Sequence, residues 1–560
     1  MSRSSLAIVV LIQFAALIAV CLLVGDNGWD DGAITLAFSR TFAQHGRVAL
    51  TPHSEVVEGF SSVAWFLLNA PAALATSSYR ALILVSQLLA ALCICASTLL
   101  LARTCRLVRL DRFFTTLTVI AFAAWGCSFS EASNGMEMGL LAAAVLVMVN
   151  ELARGEPPSF ARRVPSREGL GTLPGFPSQL SPRPRTALLA LGVVVAVTTR
   201  FEAAVYVGLL ALSVASVPGR RAFWTIVIAS LGTVALLSAW RLSVFSDLLP
   251  NTYWAKRWPP YAAFDLVGRL RGAVELPSLF LAPLIALVIV RRRGGVEPAR
   301  RRGVLILALP ILGAILVGGL IGKAWGYYGR MPFFAVPLAL VLMSLLFSSW
   351  VDAKRSSFRV AVAVGAFVVS TGLSMSGFPS GSLAAAFKGG SFGVTPHTYA
   401  QSGQVFRRFA AAADLQQPTI LTPDLGGLAL CCDEFRIVDL ALLSNRPLAR
   451  RGQAALAEVL ENESPHLVEA HWKWASAGTL YELPYFRAHY LPAFAGGTKL
   501  WIRGDVAEAI ERKGRGCRLP TNRGDVQAAL RAHRYADHDL PEDRAAFDRR
   551  GIVFTPDPCP

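Results

Sequence analysis

Two adjacent acidic residues, Asp30 and Asp31, stand in the segment Gly-Trp-Asp-Asp-Gly-Ala-Ile-Thr, shortly after a long apolar run. Carboxylates in this position can take a proton from a hydroxyl group, or they can simply cap a helix. A helix is predicted here by the spacing of four apolar residues: Ile34, Ala37, Phe38 and Phe42. Taken alone, the acidic pair therefore fits helix capping better than catalysis.

Five other segments between apolar runs also combine ionisable residues with aromatic or small ones. These are 55–60, 134–137, 199–202, 246–256 and 327–330. Ionisable groups near a membrane boundary usually face a water-filled cavity and mark a substrate path. Together with Asp30 and Asp31 they predict a cavity that accepts a polar head group while its lipid tail stays in the bilayer.

The elements that must position these residues are membrane helices. The chain has a mean hydropathy of +0.47 and 16% charged residues, which is too apolar for a soluble protein. The uncharged run 5–24 can cross a hydrocarbon core of about 30 Å, and no cleavage site follows it, so we predict an uncleaved first helix. Further spans are predicted at 58–75, 80–102, 113–130, 136–153, 186–200, 202–217, 222–242, 278–290, 303–322, 332–350 and 360–376.

The apolar pattern stops after Ser376, which divides the chain into a membrane domain, 1–376, and a soluble domain, 377–560. The Pro- and Arg-rich segment 154–185 is interpreted as a cytoplasmic linker. In the soluble part, four apolar runs predict strands and two stretches predict helices, so we expect a small α/β domain. The strand runs are 419–422, 437–440, 466–469 and 499–503, and the helices are 404–415 and 452–461.

The positive charge of the chain sets its topology. Five short segments (103–112, 154–185, 219–221, 291–302 and 351–359) contain 21 basic and five acidic residues, whereas residues 377–560 are nearly neutral. Basic loops between apolar spans are typical of the cytoplasmic side. This distribution argues against nucleic-acid binding and places the soluble domain outside. It requires about eleven crossings, with 58–75 as a re-entrant or shallow helix.

Several elements together resemble GT-C glycosyltransferases, most closely the terminal β-(1→2) arabinofuranosyltransferases of mycobacterial cell-wall assembly. The first carries the Asp-Asp and Val-Glu-Gly-Phe elements, between Trp29 and Trp65. The others follow in the order of the family: Asn-Gly-Met-Glu at 134–137, Thr-Arg-x-Glu at 199–202, Leu-Pro-Asn-Thr-Tyr-x-Ala-Lys at 249–256, an aromatic-Gly-Arg-x-Pro run at 328–332 and Pro-Asp-Leu-Gly-Gly at 423–427. The resemblance covers most of the chain.

This resemblance implies a multi-pass protein of the bacterial plasma membrane, with its C-terminal domain extracytoplasmic. It implies transfer of a sugar, arabinofuranose in the closest relatives, from a polyprenyl-phosphate donor to a glycan or lipid acceptor. An inverting displacement needs a base and cations for the leaving phosphate. Asp30 is the expected base with Asp31 as its alternate, and Lys256, Arg200 and Arg330 are the phosphate ligands. The expected sugar and acceptor contacts are Glu58, Glu137, Glu202, Asn251, Tyr253, Tyr328 and Arg40.

Two other functions are also compatible with these residues. A non-enzymatic flippase or transporter of lipid-linked glycans would usually show two related halves, which we do not see. A surface-polysaccharide ligase or polymerase would use related chemistry with a larger acceptor. No cofactor is indicated, although clustered acids can hold a divalent cation. Among the external cysteines, adjacent Cys431 and Cys432 are expected to find partners elsewhere, and Cys517 and Cys559 form the simplest disulfide.

Overall fold

The computed structural model describes residues 1–154, 182–215, 220–259, 261, 298–321, 330, 332–352, 365, 394–495, 498–513 and 552–553. Its first part is helical. The helices are α1 (Arg3–Val24), α2 (Asp31–His45), α3 (Val63–Ala75), α4 (Tyr79–Leu107), α5 (Arg112–Ala123), α6 (Gly126–Ser133), α7 (Met138–Ala153), α8 (Pro182–Thr199), α9 (Ala203–Leu212), α10 (Arg221–Phe245), α11 (Asn251–Ala255), α12 (Pro298–Ile321) and α13 (Val336–Asp352).

Five stretches are long and apolar enough to cross a membrane among the residues described: Arg3–Asn27, Tyr79–Leu107, Arg112–Ser133, Arg221–Phe245 and Arg301–Gly318. Shorter apolar helices lie beside them. One of these is α3, whose 13 residues rise only about 20 Å and are too short for a core of about 30 Å. The predicted spans 278–290 and 360–376, and nearly all of the linker 154–185, lie outside the described residues.

Helix α2 follows α1 after a short turn and carries Asp31 at its first position. The helix ends at Gly46, whose positive φ of 68° lets its N–H bond to the carbonyl of Phe42. Its apolar face packs on α3, and Ala33, Leu36 and Phe38 are buried. The predicted helix is present, and it packs between α3 and the C-terminal part of the chain.

The C-terminal part contains a six-stranded sheet, and we call residues 394–495 and 498–513 the sheet region. Its strands are β1 (Thr419–Thr422), β2 (Arg436–Asp439), β3 (Leu467–Val468), β4 (Tyr490–Ala495), β5 (Thr498–Arg503) and β6 (Ile552–Val553). Their order is β2-β1-β3-β5-β4-β6. β2, β1 and β3 are parallel, while β5 is antiparallel to β3 and β4. The four predicted strands therefore form to within two residues, and β4 was not predicted.

Helices surround the sheet because its interior strand β1 is buried along its whole length and must be covered on both faces. They are α14 (Pro396–Ala412), α15 (Gly426–Cys431), α16 (Arg446–Arg451), α17 (Leu456–Glu463), α18 (Trp472–Ala477), α19 (Pro484–His489) and α20 (Gly504–Arg512). The short helix α15 packs against both α2 and α14. It is one of the elements that join the sheet region to the first loop of the membrane part.

The structure corrects one expectation about the cysteines. Cys431 and Cys432 are bonded to each other in a vicinal disulfide at the end of α15, whereas we expected each to find a partner elsewhere. Helix α15 ends at Cys431, and Cys432 has the non-helical backbone angles φ −136° and ψ 69°. The predicted bridge between Cys517 and Cys559 lies outside the described residues.

Candidate functional site

Six ionisable residues from five separate segments come together beside the start of α2. We call this group the charged cluster. It consists of Asp31, Glu137, Arg200, Glu202, Lys256 and Arg330. All six were predicted as site residues from the sequence. Helix ends place them, because Asp31 begins α2, Glu137 precedes α7, Arg200 and Glu202 lie between α8 and α9, and Lys256 follows α11.

The arginines of the cluster are joined by one carboxylate. Glu137 Oε1 lies 3.1 Å from Nη1 of Arg200 and 4.0 Å from Nη2 of Arg330. Arg200 also donates from Nε to Glu202 at 2.9 Å. Both Glu137 and Arg200 are buried, so these pairs fix the positions of the guanidinium groups. Burial acts to raise the pKa of Glu202, but Arg200 and Lys256 hold that pKa below its usual value.

Asp31 is the accessible carboxylate of the cluster. Its Oδ2 accepts a hydrogen bond of 2.6 Å from Nη1 of Arg330, and its side chain keeps 38% of its surface exposed. The side chain of Arg330 is only 10% exposed. The arginine is therefore fixed by protein on one side and orients Asp31 on the other, while the carboxylate can still be reached by a second molecule.

Lys256 supplies a cation to the same space. Its side chain is exposed, and in the described part of the chain it makes no hydrogen bond or ion pair. The dense protein around it, followed by the charges of Arg200 and Arg330, lowers its pKa to about 8, although Glu202 and Asp31 oppose this shift. The exposed ammonium group is available to an anionic ligand.

Asp30 has different surroundings from its neighbour. Its two carboxylate oxygens accept backbone hydrogen bonds of 2.8 Å from Gly426 and Gly427, the first residues of α15. The side chain is buried at 6% exposure. Burial raises the pKa of Asp30 to about 8, as do Asp424 and Asp31, whereas the two N–H donors act to lower it. Both oxygens of the predicted base are thus already occupied by the sheet region.

The other end of α15 is held by Arg40, ten positions further along α2. The guanidinium group donates from Nη1 to the carbonyl of Leu430 at 2.8 Å and from Nη2 to that of Ala429 at 2.7 Å. A carboxylate thus caps the N-terminus of α15 and a cation its C-terminus, which is the favourable arrangement for backbone groups left without partners at helix ends. Arg40 is buried in this contact and lies apart from the charged cluster.

Three further predicted residues also lie elsewhere. Glu58 forms a bidentate pair with Arg241, at 2.6 and 2.8 Å, and both side chains are buried. Asn251 donates from Nδ2 to the carbonyl of Leu443 at 2.8 Å and so fastens α11 to the sheet region. Tyr253 is exposed and stacks against Arg257. Tyr328 lies outside the described residues.

Arg241 was missed because it was read as part of the apolar span 222–242. Its signal was present in the sequence, since a single arginine inside an apolar helix needs a carboxylate partner. A second pair that sequence reasoning missed is buried in the sheet region, where His471 Nε2 lies 3.1 Å from Oδ2 of Asp424. Among the described residues, no three His, Cys, Asp or Glu side chains are grouped so as to hold a metal ion.

The fold was compared with known proteins. No protein-family model and no curated protein sequence matches the chain. Solved structures do match. ArnT from Cupriavidus metallidurans in the apo state aligns with 89% of this chain and 98% of its own, at 13% identity and a TM-score of 0.51. The oligosaccharyltransferase from Archaeoglobus fulgidus in the apo form aligns with 90% of this chain and 75% of its own, at 10% identity and a TM-score of 0.50.

A mycobacterial arabinofuranosyltransferase, AftD, aligns with 90% of this chain and 42% of its own, at 14% identity. Its TM-score of 0.44 is too low to carry an argument about this chain. The similar structures are GT-C glycosyltransferases, so the family resemblance predicted from the sequence is confirmed at the level of fold.

Proposed function

We propose that this protein is a membrane glycosyltransferase of the GT-C type that takes its sugar from a polyprenyl-phosphate donor. One observation carries the proposal: the accessible carboxylate of Asp31 and the ammonium group of Lys256, which has no ion-pair partner among the described residues, belong to one charged cluster. The first can accept a proton and the second can hold a phosphate. The cluster lies beside apolar helices, which suits a substrate with a polar head and a lipid tail.

In the reaction we propose, a hydroxyl oxygen of the acceptor attacks the anomeric carbon of the sugar. The new glycosidic bond forms there while the bond from that carbon to the phosphate oxygen breaks. The hydroxyl proton passes to Asp31, and the lipid phosphate leaves with the electron pair of the broken bond. Lys256 stabilises the negative charge on this phosphate, with Arg200 and Arg330 nearby. Displacement at one step inverts the anomeric centre.

The assignment of the base to Asp31 rests on the different surroundings of the two acids. Asp30 is buried and uses both oxygens for the backbone of α15, so an acceptor hydroxyl cannot reach it. Asp31 has one hydrogen-bond partner among the described residues, Arg330, and remains exposed. We therefore propose that Asp30 holds the first loop against the sheet region and that Asp31 performs the chemistry. Glu137 and Glu202 then serve as positioning residues for the arginines.

The surrounding parts of the chain have further proposed roles. We propose that residues 1–376 form the catalytic membrane domain of a bacterial plasma-membrane protein and that residues 377–560 form an extracytoplasmic domain. The contacts of Asp30 and Arg40 with α15 support a shared side for the first loop and the sheet region. The acceptor is a cell-envelope glycan or lipid, and arabinofuranose is the sugar to test first.

A transfer assay tests the proposal. Purified protein in detergent is incubated with a radiolabelled polyprenyl-phosphate arabinofuranose and a short arabinan acceptor. We expect a labelled, elongated glycan that is absent with Asp31→Asn. Parallel reactions with other polyprenyl-phosphate sugars identify the donor. Movement of intact donor across vesicles with no new glycosidic bond from any donor would instead identify a flippase.

A further inference from the structure

A cavity of about 560 Å³ lies on α11 and the residues that follow it. Its lining consists of Trp254, Arg257, Trp258 and Arg450. Lys256, two residues from Trp254, belongs to the charged cluster, whereas these four residues do not. The cavity is thus a separate site next to the proposed donor site.

The polar groups of this lining are all hydrogen-bond donors. Arg257 makes no ion pair in the described part of the chain and contacts only the rings of Tyr253 and Trp254. Arg450 pairs with Asp247, yet its side chain remains 40% exposed. A sugar offers both donors and acceptors and would need acceptors in the wall. A wall that offers guanidinium donors suits an anion with several oxygen atoms.

The faces of the two tryptophan rings are already in contact with other residues, so a sugar ring cannot stack on them. The Arg450 guanidinium lies 4.7 Å from the ring centroid of Trp254, and that of Arg257 lies 5.4 Å from it. Trp258 packs against Gly452, where an added Cβ would come within 2.6 Å of the indole, and its Nε1 donates to Ala449. The Trp254 indole therefore holds both arginines in place, the Trp258 indole is held by α16, and the arginines remain to face the ligand.

The position of the cavity indicates where the anion comes from. α10 is a candidate membrane span that ends at Phe245, and Arg446 of α16 donates to the Phe245 carbonyl. Arg450, one turn further along α16, pairs with Asp247 just beyond that end. Tryptophan and arginine at the end of a span are typical of the level of the lipid head groups. A phosphate at this level is carried by a lipid.

We propose that this cavity binds the phosphate head group of a membrane lipid, as a second lipid-phosphate site beside the donor site. The ligand is a phosphate monoester or diester whose chain stays in the bilayer. Arg257 and Arg450 bind its oxygens, and the ring of Trp254 holds both guanidinium groups beside the cavity. The site requires no chemistry, so it is independent of whether the charged cluster transfers a sugar.

Binding of farnesyl phosphate, a short soluble polyprenyl phosphate, tests this site in the full-length protein by native mass spectrometry. We expect two bound molecules in the unaltered protein and one in Lys256→Ala, in which the donor site is weakened. Adding Arg257→Gln to Lys256→Ala should weaken the remaining binding about tenfold or more. Arg257→Gln breaks no ion pair among the described residues, so we expect folding to be preserved. The matched control is Arg451→Gln on α16, next to Arg450, where Arg451 pairs with exposed Glu458.

Each of the other possible outcomes supports or contradicts the second lipid-phosphate site. Complete loss of binding in Lys256→Ala alone, or equal affinity with and without Arg257→Gln, would overturn the second site and leave the donor site standing. Binding unaffected by Lys256→Ala but lost with Arg257→Gln would support the second site and contradict the proposed role of Lys256. Inorganic phosphate that competes as well as farnesyl phosphate at equal concentration would overturn the assignment to a lipid.

Discussion

The Oδ2 atom of Asp31 lies 2.6 Å from Nη1 of Arg330, while the carboxylate of Asp30, one residue earlier, is bonded to two backbone N–H groups of the sheet region. Two identical side chains that are adjacent in the sequence therefore have different partners. This difference separates a residue that can exchange a proton with a substrate from one that holds two parts of the chain together. It also makes the two roles separable by experiment.

Asp31→Asn should lower the rate of sugar transfer by about 10²- to 10⁴-fold, because the amide cannot accept the hydroxyl proton. Expression and thermal stability should stay close to normal, since Asp31 is 38% exposed. Asp30→Asn should instead lower the melting temperature, because an amide nitrogen would face the N–H of Gly426 or Gly427. Both variants are compared by transfer assay and thermal melting in detergent. Near-normal turnover by Asp31→Asn would contradict our assignment of the base.

Donor binding should depend on the ionisation of Lys256, whose pKa is lowered to about 8. The ammonium form predominates below that pH, so donor affinity should be highest there and should fall as pH rises through 8. Lys256→Arg should move this loss to higher pH, because arginine stays charged. The donor KM is measured from pH 6 to 10.

A control is needed because burial raises the pKa of Asp30 to about 8 as well. Asp30→Asn should leave the fall in donor affinity in place. The stability that Asp30 contributes should change with pH in the opposite direction to that of a carboxylate whose pKa is lowered by folding. Because the folded pKa of Asp30 lies above the ordinary value of an aspartate, its contribution to stability is present at low pH and is lost as pH rises through 8. The melting temperature of Asp30→Asn should therefore decline less between pH 6 and 9. A donor KM that is flat across this range would remove Lys256 from the binding step.

Gly427→Ala should disrupt the contact between α15 and α14. A Cβ at this position would lie 2.1 Å from the carbonyl oxygen of Pro396 and 2.6 Å from its Cα, and backbone atoms cannot move aside cheaply. Overpacking of this kind costs about 1–3 kcal/mol or more. The matched control is Gly208→Ala within α9, where an added Cβ meets nothing within 4 Å. It should raise helix stability by about 0.5–1 kcal/mol. Equal melting temperatures for the two variants would show that the contact tolerates a side chain.

Arg241→Gln should be strongly destabilising, because it leaves the carboxylate of Glu58 buried without its cation. Both side chains of this pair are at most 3% exposed. Loss of one partner of a buried pair costs about 3–5 kcal/mol, whereas replacement of both by apolar residues is often tolerated. We expect Glu58→Leu with Arg241→Met to recover most of the loss in a thermal melt. A double variant as unstable as Arg241→Gln would assign the effect to packing of the arginine stem.

The membrane helices and the members of the charged cluster could be predicted from the sequence. Apolar runs identify membrane spans by their length. Arginines and acids at the ends of these spans are predicted to face a shared water-filled cavity, because the bilayer excludes charge. The partners within the cluster could not be predicted, because pairs such as Arg200–Glu137 join segments 63 residues apart. The same limit applied to Arg40, which was expected to contact a substrate but binds the end of α15 instead.

The different partners of Asp30 and Asp31 could not be predicted from the sequence for a related reason. The segment Pro-Asp-Leu-Gly-Gly was noticed, but nothing in its residue types shows that its glycine N–H groups meet Asp30. Glycines at 426 and 427 are required because Asp30, Ala33 and Pro396 leave no space for a Cβ at these positions. A close approach of two backbones appears in the sequence only as small residues, which also occur in ordinary turns.

The contacts of Asp30 and Arg40 with α15 can form only late in the synthesis of the protein. Gly426 is synthesised 396 residues after Asp30, so the first loop is made long before its partner exists. Until then one carboxylate and one guanidinium group lack the backbone groups that they bind in the finished protein. The contacts that hold the loop of Asp31 are therefore completed only after α15 has been made.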